Sequence, residues 1–139
     1  MGEIKVYIEL ENSADRYLFF EKKIKQKQVR RYSMEALVDT GAVMLMLPQE
    51  VTEKLGLQFV RKATVTYADE RKESRSVVGA VTVKVGDRFM NTDCIVGPPS
   101  SEASVGQIIL ETLDLIPDSL NKSLHPRPES PIYPSIKMK

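Results

Sequence analysis

Residues 35–48 read EALVDTGAVMLMLP, and the placement of one carboxylate in them decides how the chain is understood. Asp39 follows the apolar residues Ala36 to Val38, precedes Thr40 and Gly41, and is followed by the apolar run Val43 to Leu47. Asp and Gly are ordinary turn formers, so a strand ending in a turn explains the tripeptide without any chemistry. An ionised side chain at the end of an apolar strand is also costly to bury, which gives the same aspartate a second reading as a reactive group. A D-T-G tripeptide arises by chance in roughly a few per cent of chains this long, so its surroundings must decide.

Upstream, Tyr32, Met34, Ala36 and Val38 recur at every second position on one face and predict the strand that delivers Asp39. The first segment alternates in the same way, with Ile4, Val6, Ile8 and Leu10 on one face. Between the two, Asn12, Ser13 and Asp15 supply turn chemistry, and the aromatic stretch RYLFF at 16–20 predicts a short strand. The run EKKIKQKQVRR at 21–31 is rich in Lys and Arg, but no aromatic interleaves the charges, so it reads as a solvated connector. Downstream, Val51 and Leu55 at helical spacing, with Gly56 behind them, predict a short helix with a glycine stop. Two β-type runs surround a polar middle at Asp69 to Glu73, which predicts an exposed hairpin tip. A further hairpin turns at Gly86 and Asp87 between Val81–Val85 and Arg88–Val96. Ile109, Leu113 and Ile116 predict a helix that stops at Pro117. Prolines at 126, 128, 131 and 134 predict an extended, unpacked tail. The expectation is a mostly β domain over residues 1–125 with a Pro-rich tail at 126–139.

Composition removes whole classes of function. A chain of 139 residues, 42% hydrophobic, is the size of one domain. Its net charge of +1 offers no basic field for nucleic acid. A single cysteine, Cys94, and a single histidine, His125, argue against a zinc site, a disulfide and a Ser-His-Asp arrangement in the core. Cys94 lies in an apolar run, where a small buried hydrophobe is expected. No phosphate loop or dinucleotide fingerprint is present, so no cofactor or metal is expected. Apolar runs fall far short of the roughly 20 residues that span a membrane, and the N-terminus has no signal-peptide layout, so a cytoplasmic protein is expected. The carboxylates remain as carriers of chemistry.

The segment ALVDTGAVMLMLP, with LGL soon after and VGQIILETLDLIPD near the end, resembles the single-lobed, retropepsin-like aspartic proteases of prokaryotes, relatives of the retroviral enzymes. The ending LIPDSLNKSLHPRPESP is similar to that group's, and the likeness spans about residues 29–131. It implies a retropepsin-like acid-protease fold: a closed, barrel-like β lobe with a flap hairpin and one short C-terminal helix. It assigns water activation to Asp39, a bracing hydroxyl to Thr40 and, to Gly41, a backbone geometry that a Cβ would oppose. Ala42, Val43 and Met44 would line a substrate cleft, with Tyr67 and Asp69 on the flap and Gly106 in the late glycine-helix motif. Ala42 stands where pepsin-like enzymes carry a hydroxyl, which implies a less acidic carboxylate pair. One Asp-Thr-Gly per chain implies a homodimer acting on peptide or protein substrates, since this hydrolysis needs two carboxylates.

The chain also departs from the retroviral pattern. The flap tip ADERKES is charged and lacks glycine, Val43 and Gln107 replace an Asp and an Arg that pair in retroviral enzymes, and Ser104 is more polar than the aliphatics usual there. Two other readings follow from the residues: a non-catalytic peptide-binding or dimerisation module on the same fold, and a turn in an unrelated β-barrel.

Overall fold

Alternation at the start of the chain becomes strand β1 (Lys5–Asn12), with Ile8 and Leu10 fully buried. The computed structural model describes residues 3–138. β1 runs antiparallel to β2 (Arg31–Val38), from Lys5 opposite Leu37 to Glu11 opposite Arg31. Helix α1 (Ser13–Phe20) lies between them, where RYLFF predicts a strand. Asn12 overrides the β propensity of those aromatics: its side chain accepts from the Asp15 N–H at 3.0 Å, a helix N-cap, while its Nδ2 donates to the Leu55 carbonyl at 2.8 Å. Tyr17 and Phe20 stay largely exposed, so the aromatic run contributes no core face.

The Lys/Arg-rich connector is mostly exposed, as expected, with one 3-10 turn at Gln26–Gln28. Its last members are tied down. Arg30 forms a two-pronged ion pair with Asp15, at 2.8 and 3.0 Å, and that hydrogen bonding holds the Asp15 carboxyl below its ordinary range. The same guanidinium lies across Gly56, where an added Cβ would sit 1.8 Å from Nη1. Gly56 also has φ +64°, a left-handed conformation that suits glycine at the end of helix α2 (Gln49–Lys54).

The remaining strands are β3 (Leu45–Pro48), β4 (Gln58–Thr66), β5 (Lys72–Val85), β6 (Arg88–Gly97) and β7 (Ala103–Val105). They join β1 and β2 in the order β1-β2-β7-β3-β6-β5, and pairing of β1 with β5 closes a six-stranded barrel. β5 is long enough, at 14 residues, to serve two purposes. Its second half forms the barrel wall against β1 and β6, and its first half leaves the wall to pair with β4. The expected hairpins, one tipped near Asp69 and one turning at Gly86 and Asp87, are both present.

Leu45, Leu47, Leu55, Val81, Val83, Val105 and Ile109 fill the barrel with Ile8 and Leu10. Cys94 is fully buried among them, and burial pushes its thiol up to about 12. At pH 8 its thiolate fraction is then on the order of 10⁻⁴. A disulfide reagent such as Ellman's is expected to label Cys94 more than about 10³-fold more slowly in the native protein than in denaturant, in a stopped-flow comparison. Rapid native labelling would contradict this burial.

Near the C-terminus two expectations are corrected. Helix α3 (Gln107–Leu113) ends before Pro117, because Asp114 takes a left-handed conformation, φ 58°. Ile116 and Pro117 belong instead to β8 (Leu115–Asp118), which pairs with β9 (Ser123–Pro126) as a separate hairpin. The tail, though mostly exposed, is also anchored rather than loose along its whole length. Ser130 is buried, and its carbonyl accepts from Arg88, a buried residue whose Nη1 also donates to the carbonyls of Leu113 and Asp114 at 2.8 and 3.1 Å.

Candidate active site

β2 reaches its end with Val38 opposite Val105 of β7, in a parallel pairing. The next N–H, that of Asp39, donates to the Val105 carbonyl at 3.0 Å, so Asp39 is the first residue to leave the barrel wall. The chain then turns: the Ala42 N–H donates back to the Asp39 carbonyl at 3.1 Å. The Gly41 N–H donates to Asp39 Oδ1 at 3.1 Å, which orients the carboxylate across the turn.

Residues 106–108 grip this turn from the other side. The Gln107 and Ile108 N–H groups, at the start of α3, donate to the carbonyls of Ala42 and Val43 at 2.8 and 3.0 Å. The approach is close enough to forbid a side chain at Gly106. An added Cβ there would lie 2.7 Å from the Met44 carbonyl oxygen, 2.8 Å from the Val43 carbonyl carbon and 2.9 Å from the Ala42 carbonyl oxygen. At Gly41, by contrast, an added Cβ would meet only Asp39 Oδ1, at 3.4 Å, an ordinary contact. Within one chain the close backbone contact therefore lies at Gly106.

The barrel thus brings Asp39, Thr40, Gly41, Ala42, Val43, Met44 and Gly106 together in one clasped loop. Asp39, Thr40 and Gly41 are exposed, as is Val43, while Ala42 and Met44 are half-buried. Gln107, where retroviral enzymes carry Arg, turns its amide along its own helix to Glu111 at 3.2 Å.

Tyr67 and Asp69 stand apart from this group, at the tip of the β4–β5 arm. There the side chains bond to one another. The Tyr67 hydroxyl meets Glu73 at 3.3 Å, Arg75 pairs with Glu73 at 2.6 Å, Arg71 lies 4.7 Å from the Tyr67 ring centroid, and Asp69 accepts from the Arg71 N–H at 3.1 Å. Among the described residues no hydrogen bond links the tip to the Asp39 loop.

Ser123, His125 and Asp118 meet on the β8–β9 hairpin, with 2.9 Å from Ser123 Oγ to His125 Nε2 and 3.4 Å from that nitrogen to Asp118. Both partners approach the same ring nitrogen, whereas a proton relay needs one on each, so the trio braces the hairpin. Among the described residues no group of three or more His, Cys, Asp or Glu side chains is placed to hold a metal ion, and no helix is long and apolar enough to cross a membrane.

Sequence reasoning missed Asp114. It is buried at the C-terminal end of α3, where its carboxylate accepts from the Arg127 guanidinium, the Ser130 hydroxyl and, at 2.9 Å, the Ser135 N–H. Those donors, Arg127 first, hold its carboxyl well below the usual carboxylate range. Asp114 falls inside the helical pattern read from Ile109 to Ile116, where a polar residue gives no sign of a buried, left-handed helix end.

A strand-ending Asp-Thr-Gly, gripped by a glycine-helix segment on a closed barrel, is the arrangement of an acid-protease lobe. A family model described as aspartyl protease matches residues 23–111, and the chain belongs to this retropepsin-like aspartyl protease family. Among curated proteins, none matches the chain.

Proposed function

We propose that this protein is an aspartic endopeptidase that works as a homodimer, with one Asp39 from each subunit at a two-fold axis. The observation that carries the reading is the exposure of Asp39, Thr40 and Gly41 on a loop that the barrel holds at fixed backbone positions. A rigid loop on which Asp39 and Thr40 are both exposed suits a second copy of itself across a two-fold axis. Two carboxylates about 3 Å apart cannot both ionise, so one proton is shared. The ionised Asp39 takes a proton from water as the oxygen attacks the scissile carbonyl carbon. The neutral Asp39 donates a hydrogen bond to the carbonyl oxygen, and the tetrahedral adduct collapses as the amine leaves with a proton. The pair titrates as a unit, and this chemistry requires neither metal nor cofactor. Thr40 would brace the paired turns, with Val43 and Met44 facing the substrate and Tyr67 and Asp69 above it on the flap. The lone buried cysteine suits a reducing, cytoplasmic setting.

A binding module on the same fold is the second reading, and one observation favours it: the flap tip is charged and its side chains engage each other. The two readings separate on concentration. Hydrolysis of an unfolded protein such as casein, per mole of chain, is expected to rise with enzyme concentration and level off where sedimentation shows dimer. Hydrolysis per chain that stays constant down to fully monomeric solutions would remove the two-subunit mechanism, and no hydrolysis by a confirmed dimer would favour the binding module.

A further inference from the structure

The carboxylate of Asp114 is in an unusual place. It sits at the C-terminal end of a helix, where the helix dipole opposes negative charge, in a left-handed conformation that most side chains avoid, and it is buried. The buried charge at the helix end is offset by the groups that donate to the carboxylate. Those partners are all in the tail: Arg127, the hydroxyl of Ser130 and the N–H of Ser135. Arg88 completes the knot by bridging the carbonyls of Leu113, Asp114 and Ser130.

The helix that ends in this knot begins at the Asp39 loop. α3 has seven residues, too few to be stable unaided, so its position is set by what holds it. Ile109, Leu110 and Leu113 bury one face in the barrel, which fixes the helix laterally. Sliding and rotation about its axis are resisted at its ends: at the first turn by the bonds to Ala42 and Val43, at the last by the knot. Arg127 and Asp114 also line, with Gln107 and Glu111, a surface groove that reaches Thr40.

We propose that Arg127 is a positioning residue for the Asp39 loop, acting through Asp114 and α3, so that the C-terminal tail sets the geometry of the active site. This rests on the endopeptidase reading only for its consequence in catalysis. The mechanical coupling is a property of the folded chain whether or not hydrolysis occurs.

Hydrogen exchange by mass spectrometry on the full-length protein tests the coupling directly. In Arg127→Met, peptides covering residues 39–44 and 106–113 are expected to exchange about tenfold faster, on the scale of one lost charge-assisted hydrogen bond. Peptides from 77–85 and 91–96 are expected to keep their wild-type rates, and Arg127→Lys to restore part of the protection. Faster exchange confined to residues 127–136, with 39–44 unchanged, would overturn the proposal and leave the knot a simple anchor for the tail. Should Arg127→Met exchange faster everywhere, Ser130→Ala, which removes a single bond to Asp114, is read by the same criterion and decides. With casein as substrate, a fall in kcat at constant KM in Arg127→Met is the expected catalytic counterpart. An unprotected loop with no casein hydrolysis even in the wild type would uphold the coupling and defeat the endopeptidase reading; the reverse pattern would do the opposite.

Discussion

Replacing Asp39 by Asn is expected to reduce peptide hydrolysis by at least about 10²–10⁴-fold, the scale of a lost general acid–base pair. The substitution is nearly isosteric, and an amide oxygen can still accept from the Gly41 N–H, the bond that orients the side chain at 3.1 Å. Because the side chain is exposed and its backbone bonds are unchanged, stability is expected to stay within about 0.5 kcal/mol of wild type in urea titration. Activity and stability are thus separated in one variant. Mixing adds a second discriminant. When equal amounts of wild type and Asp39→Asn exchange subunits freely, only about a quarter of the dimers carry two aspartates, whereas sites complete within one chain would retain about half the rate. Full activity in Asp39→Asn would mean that the carboxylate closes a turn and does no chemistry.

Gly106→Ala is the substitution expected to damage both properties. The added Cβ meets three backbone atoms of residues 42–44 at 2.7 to 2.9 Å, and backbone cannot rotate aside as a side chain can. Either the loop or the start of α3 must move. Movement of either one weakens the bonds from Gln107 and Ile108 to Ala42 and Val43. A loss of about 1–3 kcal/mol in urea titration is expected from overpacking of this kind. A displacement of roughly 1 Å in the loop is in addition expected to lower kcat on the order of 10²-fold. Wild-type stability together with wild-type hydrolysis in Gly106→Ala would show that the grip of α3 on the loop is slack.

Much of this was legible in the sequence where periodicity and turn chemistry agreed. β1, β2 and the β5–β6 hairpin follow from alternation, since each has one face in the barrel and one in solvent, while the mostly exposed β4–β5 arm was legible from its β-type residues around a polar tip. The Asp39 motif and Gly106 stood out because both need a particular residue type at a particular place. Reading failed where a distant partner outweighed local preference. RYLFF has the composition of a strand, yet Asn12 caps it as a helix while reaching Leu55, a contact across 43 residues that no local window contains. The tail, with its prolines, has the composition of a loose end, yet Asp114 and Arg88 hold it through side chains and carbonyls that become neighbours only in the folded chain. Gly41 and Gly106 look alike as letters, and only the geometry assigns the close contact to Gly106.

The parallel pairing of β2 with β7 also bears on how the protein comes into being. The Asp39 turn is complete in sequence by residue 44, but the atoms that hold it belong to residues 105–108, more than sixty positions later. Closing so long a loop is slow relative to local structure, and during synthesis the later residues do not yet exist. A nascent chain therefore carries its Asp-Thr-Gly motif through most of translation without the means to hold it in shape. Whatever the Asp39 loop does, it can do only once the last third of the polypeptide has been made and folded against it.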